Sequence, residues 1–359
     1  MTTVSALRTD VYAIPNDRAL DDATQSFHTL ELVVIELETD DGVSGMGFTY
    51  TIGDGADAIE RFVDATLRPL VVEQTAAPRR AYESMRAGTT FVGREGISEL
   101  AISAVDVALW DALGRRVGVP LYELLGGERA AIPSYETNGG WLHLEEAELV
   151  ENAAECAEQG FAGMKMKVGR GHEVDESRVR AVREALPASI DLMVDGNCAF
   201  TVPAARRFAF RVRDVDLAWF EEPIEKGDYA GMADLRGRMN IPLATGENCY
   251  SPAQFAQLVR LDAVDVLQPD VCRVGGVTGW MRVAELAAAV GLPVSPHYVE
   301  PIHVHLAAAT ETVPYVEHHS TVLDRVLATP LELDDGAFTP PTDPGHGIRF
   351  DGIEEYRRE

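Results

Sequence analysis

The alternation of apolar and polar positions changes character near residue 130. Before that point, residues 4–14, residues 30–38 and Ser44 to Thr51 read as strands, with Asp40-Asp41-Gly42 supplying a hairpin turn between the second and third. A helical stripe follows. Ile97, Leu100, Ala101, Ala104, Val105, Ala108, Leu109, Ala112 and Leu113 recur at i, i+3 and i+4, and the pattern stops near Gly118-Val119-Pro120. This part predicts an α+β unit. Beyond residue 130, short apolar runs at 132–135, 163–168, 192–195, 217–222, 242–247, 264–270, 293–297 and 314–317 alternate with amphipathic helices. Eight strands in that rhythm predict a parallel α/β barrel. From about residue 330 the repeat is lost, and Leu331-Glu332-Leu333-Asp334-Asp335-Gly336 with Pro340-Pro341 reads as a tail returning to the first unit. The expected division is 1–128, 129–330 and 331–359.

With 359 residues, 46% apolar and 25% charged, the chain can bury a large core. A net charge of -27 and a pI near 4.6 argue against nucleic acid or an anionic membrane surface as partner, because both require a basic face. Scarce lysine beside abundant Asp and Glu points to a salt-rich, halophilic cytoplasm. The start carries no signal-like apolar stretch, no segment approaches a membrane span of roughly 18 apolar residues, and a cytoplasmic protein is expected. Cys156, Cys198, Cys249 and Cys272 have no C-x-x-C spacing and read as reduced core thiols.

Two of the three lysines, Lys165 and Lys167, close the run Gly163-Met164-Lys165-Met166-Lys167. Positions i and i+2 of a strand share a face, so both ammonium groups aim into one volume. Lysine can be tuned to lose its proton where arginine cannot, which makes a paired Lys at a strand end a candidate base. The later strands finish on Asp195, Glu221, Glu247, Asp270, His297 and Glu317. In a parallel barrel the C-terminal strand ends converge on one mouth, which makes these distant groups neighbours. Asp195, Glu221 and Glu247 would bring three carboxylates to one point, an arrangement that calls for a hard divalent cation, Mg²⁺ rather than Zn²⁺. Asp270 and His297 close consecutive strands, so the carboxylate can orient the imidazole and raise its basicity. His303, His305, His318 and His319 read as packing or supporting groups.

The array resembles the mandelate racemase subgroup of the enolase superfamily. The likeness is carried by Lys165-Met166-Lys167, the Asp195, Glu221 and Glu247 trio, the Asp270–His297 pair and Glu317. Their flanks Phe220-Glu221-Glu222-Pro223, Ala244-Thr245-Gly246-Glu247 and Gln268-Pro269-Asp270 match too, as does Val119 to Gly126. The resemblance implies a modified TIM barrel, (β/α)7β, with an N-terminal α+β capping domain completed by the C-terminal tail. It also implies a homo-oligomer, and proton abstraction α to a carboxylate to give an enediolate stabilised by Mg²⁺. In that scheme Lys165 and a protonated Glu317 bind the substrate carboxylate. Lys167, its pKa depressed by Lys165 and the cation, and His297 are the two bases.

Two outcomes remain open at this point: dehydration of a β-hydroxy acid to a 2-keto-3-deoxy acid, or racemisation of a 2-hydroxy acid. Capping-domain loops at Asn16 to His28 and Thr49 to Gly55 are expected to frame the substrate, with Arg18, His28, Tyr50 and the barrel residue Asn197 as contacts. Their polarity, and the run Pro301 to Ala309, which is similar to acid-sugar dehydratases of the talarate/galactarate type, favour dehydration of an aldonate or aldarate. Arg18 could hold a distal carboxylate. A metal-dependent hydrolase would need His-x-His on the first barrel strand, where Thr137-Asn138-Gly139-Gly140 stands, and a non-catalytic sugar-acid binder would be expected to lack one of the groups above.

Overall fold

The computed structural model describes residues 1–319 and 322–358; the side chain of Arg18 lies outside the described part. Strands β1 (Val4–Asp21), β2 (Ser26–Thr39) and β3 (Ser44–Ile52) form an antiparallel sheet in chain order. Alternation splits the faces of β2. Val33, Ile35 and Leu37 pack with Ala101, Val105 and Ala108 of the helix Ile97–Val117, whereas Leu32 and Val34 join the core shared with the barrel. Sheet and helix approach very closely at Gly47, where a Cβ would lie 2.3 Å from the Ala104 carbonyl oxygen, so only glycine fits. The expected loop from Asn16 to His28 is instead the end of a long hairpin. Leu20 pairs with Phe27 and Asp21 with Ser26, after a register irregularity that begins at Pro15, which has no N–H to donate.

The second unit is the barrel. Strands β4 (Ile132–Glu136), β5 (Gly163–Lys167), β6 (Asp191–Asp195), β7 (Leu217–Glu221), β8 (Leu243–Thr245) and β9 (Val266–Leu267) are parallel neighbours. The seventh position is a single parallel bridge from Leu267 to Val294, and β10 (Val316–His318) pairs with β4 to close the circle. Seven helices alternate with these positions, the last being Glu300–Ala308, which makes the (β/α)7β arrangement. Tyr135, Met193, Trp219, Ala244 and Val266 fill the barrel interior beneath the mouth.

The tail does more than return to the cap. Strands β11 (Leu333–Asp334) and β12 (Ala337–Phe338) form a hairpin, and β12 pairs antiparallel with the start of β4, so the tail first seals the barrel. It then reaches the cap: His346 N–H donates to Asp111 at 3.1 Å, and Arg358 N–H donates to the Val11 carbonyl at 2.9 Å. Cap and barrel are joined by a buried polar clamp. Asp106 of the long helix accepts from Thr278 N–H at 2.8 Å and from the Thr278 hydroxyl at 2.7 Å, while Trp110 Nε1 donates to that hydroxyl at 2.9 Å. Among the described residues, no helix is long and apolar enough to cross a membrane.

Candidate active site

Strand register builds the centre of the site. Lys167 on β5 pairs with Asp195 on β6, and Asp195 pairs with Glu221 on β7, so three chemistry-bearing side chains stand side by side across neighbouring strands. Lys165, one pleat deeper, shares their face as its i, i+2 spacing requires. Close approach keeps that pleat tight: a Cβ on Gly140 would lie 2.0 Å from the Lys165 carbonyl oxygen. Arg178, buried on the helix His172–Ala185, donates to the Lys167 carbonyl at 3.1 Å and to the Trp141 carbonyl at 3.3 Å, tying the end of β5 to the loop after β4.

Asp195, Glu221 and Glu247 each offer an oxygen within 4.8 Å of the others. The Lys165 ammonium, 2% exposed, donates to Glu221 at 2.8 Å and lies 2.7 Å from Glu317, and Lys167 donates to Asp195 at 2.5 Å. Trp219 Nε1 and Gln268 Nε2 hold the other Glu221 oxygen at 3.2 and 2.7 Å. Burial, offset only in part by Lys165 and reinforced by Asp195, pushes Glu221 up to about 8. Three carboxylates crowded at the end of a buried strand row, with an all-oxygen donor set, fit a hard divalent cation, which would draw Glu221 back down. The Asn197 Oδ1, buried and without a hydrogen-bond partner among the described residues, lines the cavity beside the same centre.

Two ionisation states differ from those expected with a cation in place. Burial favours a depressed Lys167, but the adjacent Asp195 carboxylate outweighs it and holds the ammonium above its ordinary value; a cation on Asp195 would weaken that hold. Glu317 is not kept protonated. Burial pushes it up, yet Lys165 and His297 pull it well below the usual carboxylate range, and it also accepts from Tyr298 N–H at 2.7 Å. Both differences have one origin: each group has a direct opposite-charge partner that spacing along the chain does not reveal.

His297 Nδ1 lies 2.9 Å from Asp270 Oδ2, and its Nε2 lies 3.3 Å from Glu247. Burial lowers the imidazole pKa, but Glu247 and the Asp270 contact overcome it and lift it to about 9. The Tyr50 hydroxyl, on β3 of the cap, donates to the same Asp270 oxygen at 2.5 Å. Tyr50 therefore reaches the site through the dyad.

Lys167, Glu247, His297 and Tyr50 line a cavity of about 340 Å³ between barrel mouth and cap. Asn16, Thr24, Gln25, Tyr50 and Asn197 line it, and His28 does not. Adjacent strand residues face opposite ways; Phe27 turns inward against Trp141, which puts His28 in a separate outer recess beside Glu31 and Arg358. Asp17 pairs with Arg325, and the Thr49 and Thr51 hydroxyls are engaged by the Cys272 carbonyl and by Glu31. The Arg18 side chain falls outside the described residues. His319, read above as packing, lines the cavity between Trp141 and Tyr298, as do Asn248, Arg273 and Cys198, the last a rim thiol rather than a core one. Only its place directly after the strand end of Glu317 could have marked His319. Backbone φ is positive at Asn197 (39°), Cys198 (61°) and Tyr298 (53°), a concentration of strain typical of functional loops.

Residues 148–355 match the enolase C-terminal domain-like family, and residues 8–126 match the N-terminal domain of the mandelate racemase / muconate lactonizing enzyme family. The chain belongs to the enolase superfamily, in the mandelate racemase group. Within it, the chain is 36% identical over 97% of its length to a 3,6-anhydro-alpha-L-galactonate cycloisomerase from Streptomyces coelicolor, 97% of which is covered. It is 34% identical over 91% of its length to the L-talarate/galactarate dehydratase of Salmonella typhimurium, with 82% of that protein covered. The solved L-talarate dehydratase of Polaromonas, complexed with Mg and L-glucarate, superposes with a TM-score of 0.94 at 34% identity, covering 100% of this chain and 98% of that one. The superfamily's cap-and-barrel architecture and its relatives' chemistry on sugar acids thus frame the site.

Proposed function

We propose that this protein is a Mg²⁺-dependent dehydratase of a sugar acid, an aldonate or aldarate, yielding a 2-keto-3-deoxy acid. The observation that carries the reading is one cavity lined by Lys167, Glu247 and His297, each of which belongs to a buried group beneath it: the Asp195, Glu221 and Glu247 cluster, the Lys165–Lys167 pair and the Asp270–His297 pair. Asp195, Glu221 and Glu247 would hold the cation, whose charge lowers the energy of the second negative charge developing on the substrate carboxylate. Lys165 donates to a carboxylate oxygen, and Glu317 fixes the position of Lys165; Glu317 takes up a proton only once substrate charge draws Lys165 away. With a cation drawing on Asp195, Lys167 would lose the partner that keeps it protonated and would remove the α-proton, while His297, held protonated beside Glu247 and Asp270, is left as the donor. The β C–O bond then breaks, its oxygen leaves protonated as water with His297 as donor, and the enol rearranges to the 2-keto acid. Asp270, held by Tyr50, keeps His297 oriented. Asn197 contacts substrate.

A second reading has specific support from the 36% identical cycloisomerase. With a β-oxygen that belongs to a ring, the same proton abstraction opens the ring and no water leaves. Racemisation would use Lys167 and His297 as a proton acceptor and a proton donor, and both line the cavity. The test is incubation of sugar acids with the protein and Mg²⁺ in D₂O. A 2-keto acid carrying deuterium at C3 supports dehydration; α-proton exchange with inversion and no keto product supports racemisation, and neither exchange nor keto acid with any substrate rejects the whole scheme.

A further inference from the structure

The cavity has a chemically uneven wall. Its barrel side carries the charged groups described above, whereas the cap side presents Leu20, Phe27, Leu30 and Ile52, joined by Trp141 and Val322 from barrel loops. Ile52 is 37% exposed, an apolar side chain left uncovered at the edge of a polar site. Among the described cap side chains lining the cavity there is no Lys, Arg or His, and the one ionisable group apart from Tyr50 is Asp22. Asp22 is turned to its own hairpin tip, where it accepts from Thr24 N–H at 2.6 Å, from the Thr24 hydroxyl at 2.8 Å and from Gln25 N–H at 2.9 Å. On the barrel rim, Lys226 lines the cavity beside Glu225 but is exposed, so its charge is solvated. Arg273 also lines the cavity, but its guanidinium is engaged by the Glu247 carbonyl at 3.3 Å and by Asn248 Oδ1 at 3.2 Å, so a second substrate carboxylate at this end would be desolvated against carbon and an acid, which is unfavourable.

Resting on the sugar-acid reading above, we infer that the substrate carries a single carboxylate and that its distal end presents a carbon face, either a deoxy terminus or a closed ring. The proximal carboxylate goes to Lys165 and the carboxylate cluster; the far carbons lie on Phe27, Leu30 and Ile52. Asn16, Thr24 and Gln25 are left to meet intermediate hydroxyls.

The experiment compares matched pairs with the full chain and Mg²⁺: each hexonate against the hexarate of the same configuration, with the 6-deoxyhexonate and the 3,6-anhydrohexonate as further arms. Exchange of the α-proton in D₂O and 2-keto acid formation are both read. The expected result is a kcat/KM at least about 10-fold higher for the monoacid than for its diacid partner, and higher again for one of the deoxy or ring-closed arms. The deoxy and anhydro arms tell the two carbon faces apart. Preference for the hexarate overturns the inference while leaving the sugar-acid reading intact, and loss of that preference in Arg18→Ala would assign the cause. Absence of both exchange and 2-keto acid with every acid removes the underlying reading, and the inference with it. Ile52→Ser, at a side chain exposed enough for the fold to tolerate the change, is expected to lower the deoxy or ring-closed preference about 5-fold or more; an unchanged preference overturns the carbon-face assignment.

Discussion

Tyr50 of the capping sheet donates its hydroxyl to Asp270 of the barrel at 2.5 Å, on the same carboxylate oxygen that His297 Nδ1 approaches at 2.9 Å. A residue from one domain therefore helps to set the orientation of a proton-transfer pair in the other. Asp270's other oxygen accepts from Cys272 N–H at 2.7 Å, so the carboxylate is held on both sides. Tyr50→Phe removes one donor and leaves ring packing on Tyr298 in place. In the proposed reaction kcat should fall about 10-fold, the equivalent of ~1.4 kcal/mol for one charge-assisted hydrogen bond, with KM little changed. A steady-state comparison in which kcat is unaltered would remove Tyr50 from the mechanism.

His297→Asn tests the other end of that contact. Loss of a positioned general acid or base should lower dehydration by about 10²–10⁴-fold. Divalent-ion binding, measured by calorimetry, should persist, because the three clustered carboxylates are untouched. Equal turnover in the variant would refute the proton-transfer role.

Much of this site was legible in the chain because strand parity and strand ends are one-dimensional properties. The i, i+2 spacing of Lys165 and Lys167 gives a shared face, and the periodic runs ending in Asp195, Glu221 and Glu247 give a common mouth. What depends on pairing was not legible. The Asn16 to His28 segment reads as a loop because Pro15, Asn16 and Asp17 interrupt the alternation, yet pairing with β2 carries the strand on to Asp21. The facing of His28, away from the cavity, is decided by Phe27 packing on Trp141, a contact that strand parity alone does not reveal. The charge states of Lys167 and Glu317 turned on contacts of 2.5 and 2.7 Å with Asp195 and Lys165, distances that no spacing rule supplies. The β11–β12 hairpin was missed because two-residue strands have no detectable period.

Glu221→Gln addresses the carboxylate cluster. The side chain is buried, with one oxygen held by Trp219 and Gln268 and the other by Lys165. Replacing it keeps the volume and removes a charge, so Mg²⁺ affinity should drop by about 10–100-fold and activity should disappear with it. EDTA treatment of the unmodified protein should likewise abolish turnover, and added Mg²⁺ should restore it. Full activity after exhaustive chelation would end the metal-dependent reading.

Asp106 offers a test of stability remote from the chemistry. Burial lifts its carboxyl from 3.8 to about 7 despite donation from Thr278 N–H and the Thr278 hydroxyl. The folded state thus holds a proton that the unfolded chain gives up near pH 4. This contribution to stability is fully present below that pH, declines as pH rises toward 7, and is gone above it. Glu99, also pushed up to about 7 by burial beside Arg86, adds a second slope of the same sign. Asp106→Asn keeps one acceptor for Thr278 N–H, loses the bond from the hydroxyl, and cannot titrate. Urea midpoints measured from about pH 5 to 8 should fall less steeply in the variant than in the parent, the residual slope belonging in part to Glu99. Parallel curves for the two proteins would show that the clamp between the long helix and Thr278 holds an ionised carboxylate at every pH in that range, and that the carboxylate is stabilised by the N-terminus of the helix Gly276–Val290 rather than by a proton.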